Sequence, residues 1–162
     1  MQMNIREKKH RLEKEYYEGE VSATFTLCLK GNGQWFNNPN VVDLFTGILT
    51  AVGNKFHCIV PAYCFMPDHQ HVILKGSNAH ANILKAINQY KQKTGYWMLK
   101  NKPEMKWQKD FYDHIIRTEK EMITQIKYIL ENPVRKGLVS SWEEHPFNGS
   151  IGCDIDDIVN AL

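Results

Sequence analysis

The chain has 162 residues, 43% of them hydrophobic and 23% charged, and its 20 Lys and Arg against 18 Asp and Glu give a net charge of +2. That length suits one domain with a real hydrophobic core, and the composition is that of an ordinary soluble globule rather than a disordered or fibrous chain. The start, MQMNIREKKHRLEKE, lacks the apolar stretch of a secretory leader, and no apolar run reaches membrane-spanning length. Cys28, Cys58, Cys64 and Cys153 form no CxxC pair, so reduced thiols in a cytoplasmic protein with no membrane partner are expected.

The small net charge conceals an asymmetry. Residues 138–162 hold five acids and no Lys or Arg, which leaves 20 basic and 13 acidic residues, or +7, for residues 1–137. Between Leu84 and Asp110 lie seven lysines and two acids. Such a block is either a solvated face or the footprint of a polyanion, and charge alone does not choose. No repeat or linker divides the chain, so residues 1–145 read as one domain, followed by an acidic tail over 146–162.

Val21 to Leu29 alternates strictly and predicts a strand with Val21, Ala23, Phe25, Leu27 and Leu29 on one face. Gly31-Asn32-Gly33 is a turn, too short of glycine to be a phosphate loop. A helix is expected from Pro39 to Gly53-Asn54, with Val41, Leu44, Phe45, Ile48 and Val52 inward. Phe56 to Phe65 is a strand whose Pro61 should bend it or place it near an edge. Met66-Pro67-Asp68 is turn chemistry, and His69 to Leu74 is the returning strand.

A longer helix is expected from about Ala79, capped by Ser77 or Asn78. Ile83, Ile87, Tyr90, Thr94 and Trp97 would be buried, with Lys85, Gln89, Lys93, Tyr96 and Lys100 on another face. Trp107 to Arg117 reads as extended, and Thr118 to Glu121 as a capping box that opens a last main helix. Pro133 should end that helix. The order of the first six elements is that of a ferredoxin-like split βαβ unit, an α+β fold with an antiparallel sheet and helices on one face.

Two segments carry chemistry. In Met66-Pro-Asp-His-Gln-His-Val-Ile-Leu74, strand alternation puts His69 and His71 on one face, and Gln70, Val72 and Leu74 on the other. Two neutral imidazoles side by side suit a divalent metal, although two hydrogen-bonded histidines on a half-exposed sheet would look the same. In Tyr128-Ile-Leu-Glu-Asn132-Pro-Val-Arg-Lys136, Tyr128 and Asn132 stand i, i+4 apart and would share a helical face. Laid over the histidines, that face offers an amide oxygen and a hydroxyl. A half-buried aromatic and a helix-capping asparagine fit the spacing as well.

Together these segments resemble a known family. MPDHQHVILKG is similar to the histidine–hydrophobe–histidine motif of single-tyrosine transposases. YILENPVRKGLV and WQKDFYDHIIRTEKE resemble the tyrosine segment of their REP-associated branch and the stretch before it. The resemblance runs over roughly residues 15–145. It implies that His69, His71 and Asn132 hold Mg²⁺ or Mn²⁺, and that Tyr128 is the nucleophile. The substrate implied is single-stranded DNA bearing palindromic hairpins, cleaved and rejoined through a 5′-phosphotyrosine, by a monomer or a homodimer. Gln70 departs from the pattern, whose middle position is usually bulky and apolar. Lys85, Lys93, Lys100, Arg117, Lys127, Arg135 and Lys136 are the expected DNA contacts. The acidic tail could compete with DNA for that basic surface. A non-catalytic nucleic-acid-binding module and a hydrolytic metal phosphoesterase are the alternatives from other classes.

Overall fold

Strand alternation organises the molecule, a computed structural model that describes residues 11–31 and 33–160. β1 (Ser22–Cys28) sends Ala23, Phe25 and Leu27 into the main core, and Leu29 continues that face. Its other face, Ser22, Thr24, Thr26 and Cys28, is buried as well. β2 (Cys58–Met66) and β3 (His69–Gly76) form a hairpin through Pro67-Asp68, with Met66 paired to His69. β4 (Tyr112–Ile116) and β5 (Asn148–Ile151) complete a five-stranded sheet of order β4-β1-β3-β2-β5, in which every pairing is antiparallel.

The expected split βαβ arrangement is present. α1 (Pro39–Lys55) and α2 (Ile83–Asn101) cover one face, where Val41, Phe45, Leu49, Ile83, Ile87 and Tyr90 meet Phe25, Leu27, Val72 and Leu74. α3 (Glu119–Leu130) covers the opposite face, with Ile126, Ile129 and Leu130 against Ala62, Cys64, Met66 and Ile73. The segment expected as an acidic tail supplies β5 and a short helix, α5 (Ile155–Asn160), whose Ile155, Ile158 and Val159 join this second cluster.

Several boundaries differ from the sequence expectation, each for a local reason. α1 runs on to Lys55, because Gly53 is a buried helical residue pressed against Cys58, where a Cβ would meet the carbonyl oxygen at 3.0 Å. Its inward face turns slightly, burying Val42 and Leu49 while Leu44 is exposed and Ile48 half-buried. α2 starts at Ile83 because Asn82, not Ser77 or Asn78, accepts the Lys85 N–H, at 2.9 Å. Asn78 caps a preceding turn through His80 N–H instead. In α2, Met98 is buried where Trp97 was expected, and Trp97 packs half-buried against the core.

Pro61 does not mark an edge. β2 lies between β3 and β5, and both pairings shift register around Pro61, so the missing N–H is absorbed in a bulge. Pro133 does not simply end a helix either. α3 stops at Leu130, and Pro133 opens a separate turn, α4 (Asn132–Arg135), where its fixed φ suits the first helical positions. The turn at 31–33 includes residue 32, which lies outside the described residues.

Gln70 is fully buried on the helix side of β3, and its Oε1 accepts the Tyr90 hydroxyl hydrogen at 2.5 Å. A polar residue replaces the usual apolar one because α2 brings a tyrosine hydroxyl over that position. The Gln70 amide nitrogen has no partner. Tyr90→Phe should therefore destabilise by about 1–3 kcal/mol, since it orphans the whole amide. Adding Gln70→Leu should recover part of that loss. Urea unfolding of the two singles and the double checks this, and simple additivity would count against the pair.

Candidate active site

His69 and His71 stand on the face of β3 that looks toward α3 and α4, with ring centroids 4.9 Å apart. Each ring is held by its inner nitrogen. His69 Nδ1 lies 2.7 Å from Asp68 Oδ1, and His71 Nδ1 lies 3.0 Å from Thr26 Oγ1 on the neighbouring strand. With Nδ1–H donating to these oxygens, both Nε2 lone pairs remain for a ligand, the arrangement usual for metal-binding histidine.

Burial keeps the rings neutral. It lowers the His69 pKa, against the pull of the Asp68 carboxylate. For His71 burial is the main cause, helped by His69 and Arg135, and the pKa falls to about 3. Asn132 is 5% exposed, and its Nδ2 is 3.4 Å from His69 Nε2. Rotation of that amide by half a turn exchanges its nitrogen and oxygen, so the same side chain can present Oδ1. No cluster of three His, Cys, Asp or Glu side chains able to hold a metal occurs among the described residues. Two neutral imidazoles and one amide are therefore the groups here that could hold a divalent cation, with water or substrate oxygens in its remaining positions.

Tyr128, on the last turn of α3, is 54% exposed, with its ring edge-on to His71 at 6.4 Å between centroids. Tyr128 and Asn132 do not share a helical face as the spacing suggested. The helix breaks at Glu131, so the tyrosine lies in the last turn of α3 while the asparagine opens α4. Arg135 closes the arrangement. Its guanidinium carbon sits 4.0 Å over the Tyr128 ring, and Nη2 donates to the Tyr128 carbonyl at 2.6 Å. A planar cation on an aromatic face both attracts and orients the ring.

A family profile described as "Transposase IS200 like" matches residues 17–132, which span β1 to Asn132 and include both histidines and Tyr128. The chain belongs to this transposase family. Among curated relatives, an Escherichia coli REP-associated tyrosine transposase is 29% identical over 134 residues, covering 74% of this chain and 77% of that protein. A Haemophilus influenzae protein bearing the same name is 29% identical over 98 residues, covering 54% of this chain and 56% of its own length. The chain thus spans little more than half of that relative. A solved REP-associated tyrosine transposase bound to a REP hairpin shares the fold, with TM-score 0.73 and 22% identity over 87% of this chain and 81% of that one.

In this transposase the DNA contacts expected from sequence fall in three places. Arg135 and Lys136 adjoin the histidines, and Lys127 is exposed beside Tyr128 on α3. Lys85, Lys93 and Lys100 lie on α2, on the other side of the sheet from the histidines. Arg117 follows β4 at the far end of the sheet, where it helps line a groove of about 870 Å³ with Met122, Ile123 and Asp157. α5 borders that groove, so its acids stand away from the histidine end.

Sequence reasoning missed Thr26 and Asp68 as partners of the histidines. Thr26 had a visible signal, since it occupies the polar face of an alternating strand. Past the end of β1, the exposed Lys30 and Lys106 are brought together by the Lys30 N–H to Lys106 carbonyl bond of 2.8 Å. Capping of α3 differs in one detail. Thr118 accepts the Glu121 N–H at 3.1 Å, but Glu121 reaches back to the Arg117 N–H at 2.8 Å while its other oxygen meets His114.

Because the folded His71 pKa lies below its unfolded value of about 6.5, the unfolded chain binds the extra proton as pH falls between 6.5 and 3. Stability of the metal-free protein should be full above pH 7 and decline by roughly one kcal/mol per pH unit within that window from this residue alone. His71→Asn should flatten the slope. Urea unfolding at pH 7, 6 and 5 measures it, and an unchanged slope would refute the assignment.

Proposed function

We propose that this chain is a metal-dependent enzyme that cleaves and rejoins single-stranded DNA carrying hairpins, with Tyr128 as nucleophile. The observation that carries this reading is the meeting, within one chain, of a half-exposed tyrosine with two neutral histidines whose Nε2 atoms are left open. Hairpin DNA is favoured as substrate because the relatives are REP-associated transposases, and one structural neighbour holds a REP hairpin.

His69, His71 and Asn132 would hold Mg²⁺ or Mn²⁺, which when bound supplies Lewis-acid polarisation of a phosphoryl oxygen. The remaining work falls to the chain. Tyr128 attacks phosphorus in line, its hydroxyl proton passes to solvent or a nearby base, and the 3′-hydroxyl leaves as the new O–P bond forms. The product is a 5′-phosphotyrosine that retains the energy of the broken diester, so a later 3′-hydroxyl can reverse the step. Arg135 fixes the tyrosine ring and offers a guanidinium to the phosphate that the ring acquires. Lys127 and Lys136 add positive charge beside the same phosphate.

Incubation of the protein with a labelled hairpin oligonucleotide and Mg²⁺ or Mn²⁺ should give a covalent adduct on a denaturing gel. Tyr128→Phe and EDTA should each abolish it. Cleavage that persists in Tyr128→Phe without attached protein would identify a hydrolase, and binding with no cleavage in the wild type would identify a binding module. Separately, Thr26→Val should lower Mn²⁺ affinity about 10- to 100-fold by calorimetry, because it frees the His71 ring. An unchanged affinity would remove these histidines from the metal site.

A further inference from the structure

α4 has four residues, too few to hold a helical shape alone, so its position is set by what packs on it. It carries Asn132, which meets His69, and Arg135, which covers the Tyr128 ring. Gly137, at φ 71°, turns the chain out of α4. A single helical turn at Trp142–Glu144 then packs back against α4, and Trp142 joins the cluster that contains Ile129 and Leu130 of α3.

Beyond that turn the chain is pinned to β2. His145 is buried, and its Nε2–H donates to the Phe65 carbonyl oxygen at 2.8 Å. The Phe65 N–H donates in turn to the Phe147 carbonyl at 2.8 Å. Asn148 Nδ2 closes the loop on the Trp142 carbonyl at 2.9 Å. Phe65 itself pairs with Gln70, the residue between the two histidines. Residues 142–148 thus form a bracket, with one foot on the sheet beside the histidine strand and the other on α4.

We propose that this bracket sets the position of Asn132 relative to His69 and His71, with His145 as its positioning residue. A buried histidine bonded to a backbone carbonyl is ordinarily a satisfied core residue and no more. His145 differs in its place, because it is the first residue after α4 whose side chain bonds a strand of the sheet. Its loss would take a donor from the buried Phe65 carbonyl and release the turn that backs α4. A ligand set works only when held to within about 0.5 Å, and Asn132 sits on the least self-supporting helix near the site. The family profile ends at Asn132, so the bracket is built from residues outside the stretch it matches.

The inference rests on the proposed metal site and is tested by metal binding without DNA. Calorimetry gives the Mn²⁺ affinity of the wild type, His145→Ala, Asn132→Ala and the double variant, with circular dichroism establishing that each is folded. His145→Ala should weaken Mn²⁺ binding about 10-fold, the scale of removing a residue that supports a ligand. In the Asn132→Ala background the same change should cost nothing further, because the group that the bracket positions is already gone. His145→Gln, whose amide can still donate to Phe65, should bind like the wild type. Asn148→Ala opens the bracket but keeps His145, and should show the same Asn132-dependent loss even where His145→Ala does not fold. Unchanged affinity in the single bracket variants, or an equal loss with and without Asn132, would overturn the proposal. A wild-type protein that binds no Mn²⁺ would instead overturn the metal site on which it rests.

Discussion

The molecule depends on the confinement of β3 between two other strands. It pairs with β1 over Cys28–His69 to Ser22–Lys75 and with β2 from Met66–His69 onward, so neither side is free to slip. A slip of one residue would exchange the two faces, driving the histidines into the α1–α2 core and bringing Gln70 and Val72 out beneath α3. Gln70 adds a polar lock to that register, because its Tyr90 partner is available on one face only. Two neutral imidazoles thus owe their position to backbone pairing on one side and to core packing on the other.

The same burial sets the electrostatics. His69 and His71 sit under α3 and α4, where desolvation and the neighbouring cations of Arg135 and Lys136 all disfavour protonation. Asp68 pulls His69 the opposite way, yet its larger effect is geometric, since it occupies Nδ1 and leaves Nε2 outward. Arg135 acts in two directions at once. It suppresses charge on His71, and it pins the exposed tyrosine to the turn that carries Asn132.

Much of this was legible in the sequence because it follows short-range rules. Alternation placed β1 and both faces of β3, Pro39 marked the start of α1, and Thr118 marked the start of α3. The pair of motifs located His69, His71, Tyr128 and Asn132 in one neighbourhood. What escaped depended on long-range placement. Nothing local distinguishes Asn78 from Asn82 as a cap, since both make Asx bonds and the contacts of α2 decide between them. Lys85, Lys93 and Lys100 share a helical face by periodicity, but periodicity cannot say which side of the sheet the helix occupies. Thr26 becomes a neighbour of the site only through strand order. α3 does end before Pro133, but the proline also sits in the first turn of α4, which the sequence reading did not include.

The longest strands, β2 with nine residues and β3 with eight, are both interior, whereas the outer strands β4 and β5 have five and four. Exposed strand edges are templates for unwanted pairing, and short ones are the safer kind. β5 therefore serves the molecule as a guard rail. A chain cut after residue 145 would lose more than three acids: it would present the bulged, largely apolar flank of β2 to solvent, and self-association would compete with DNA handling.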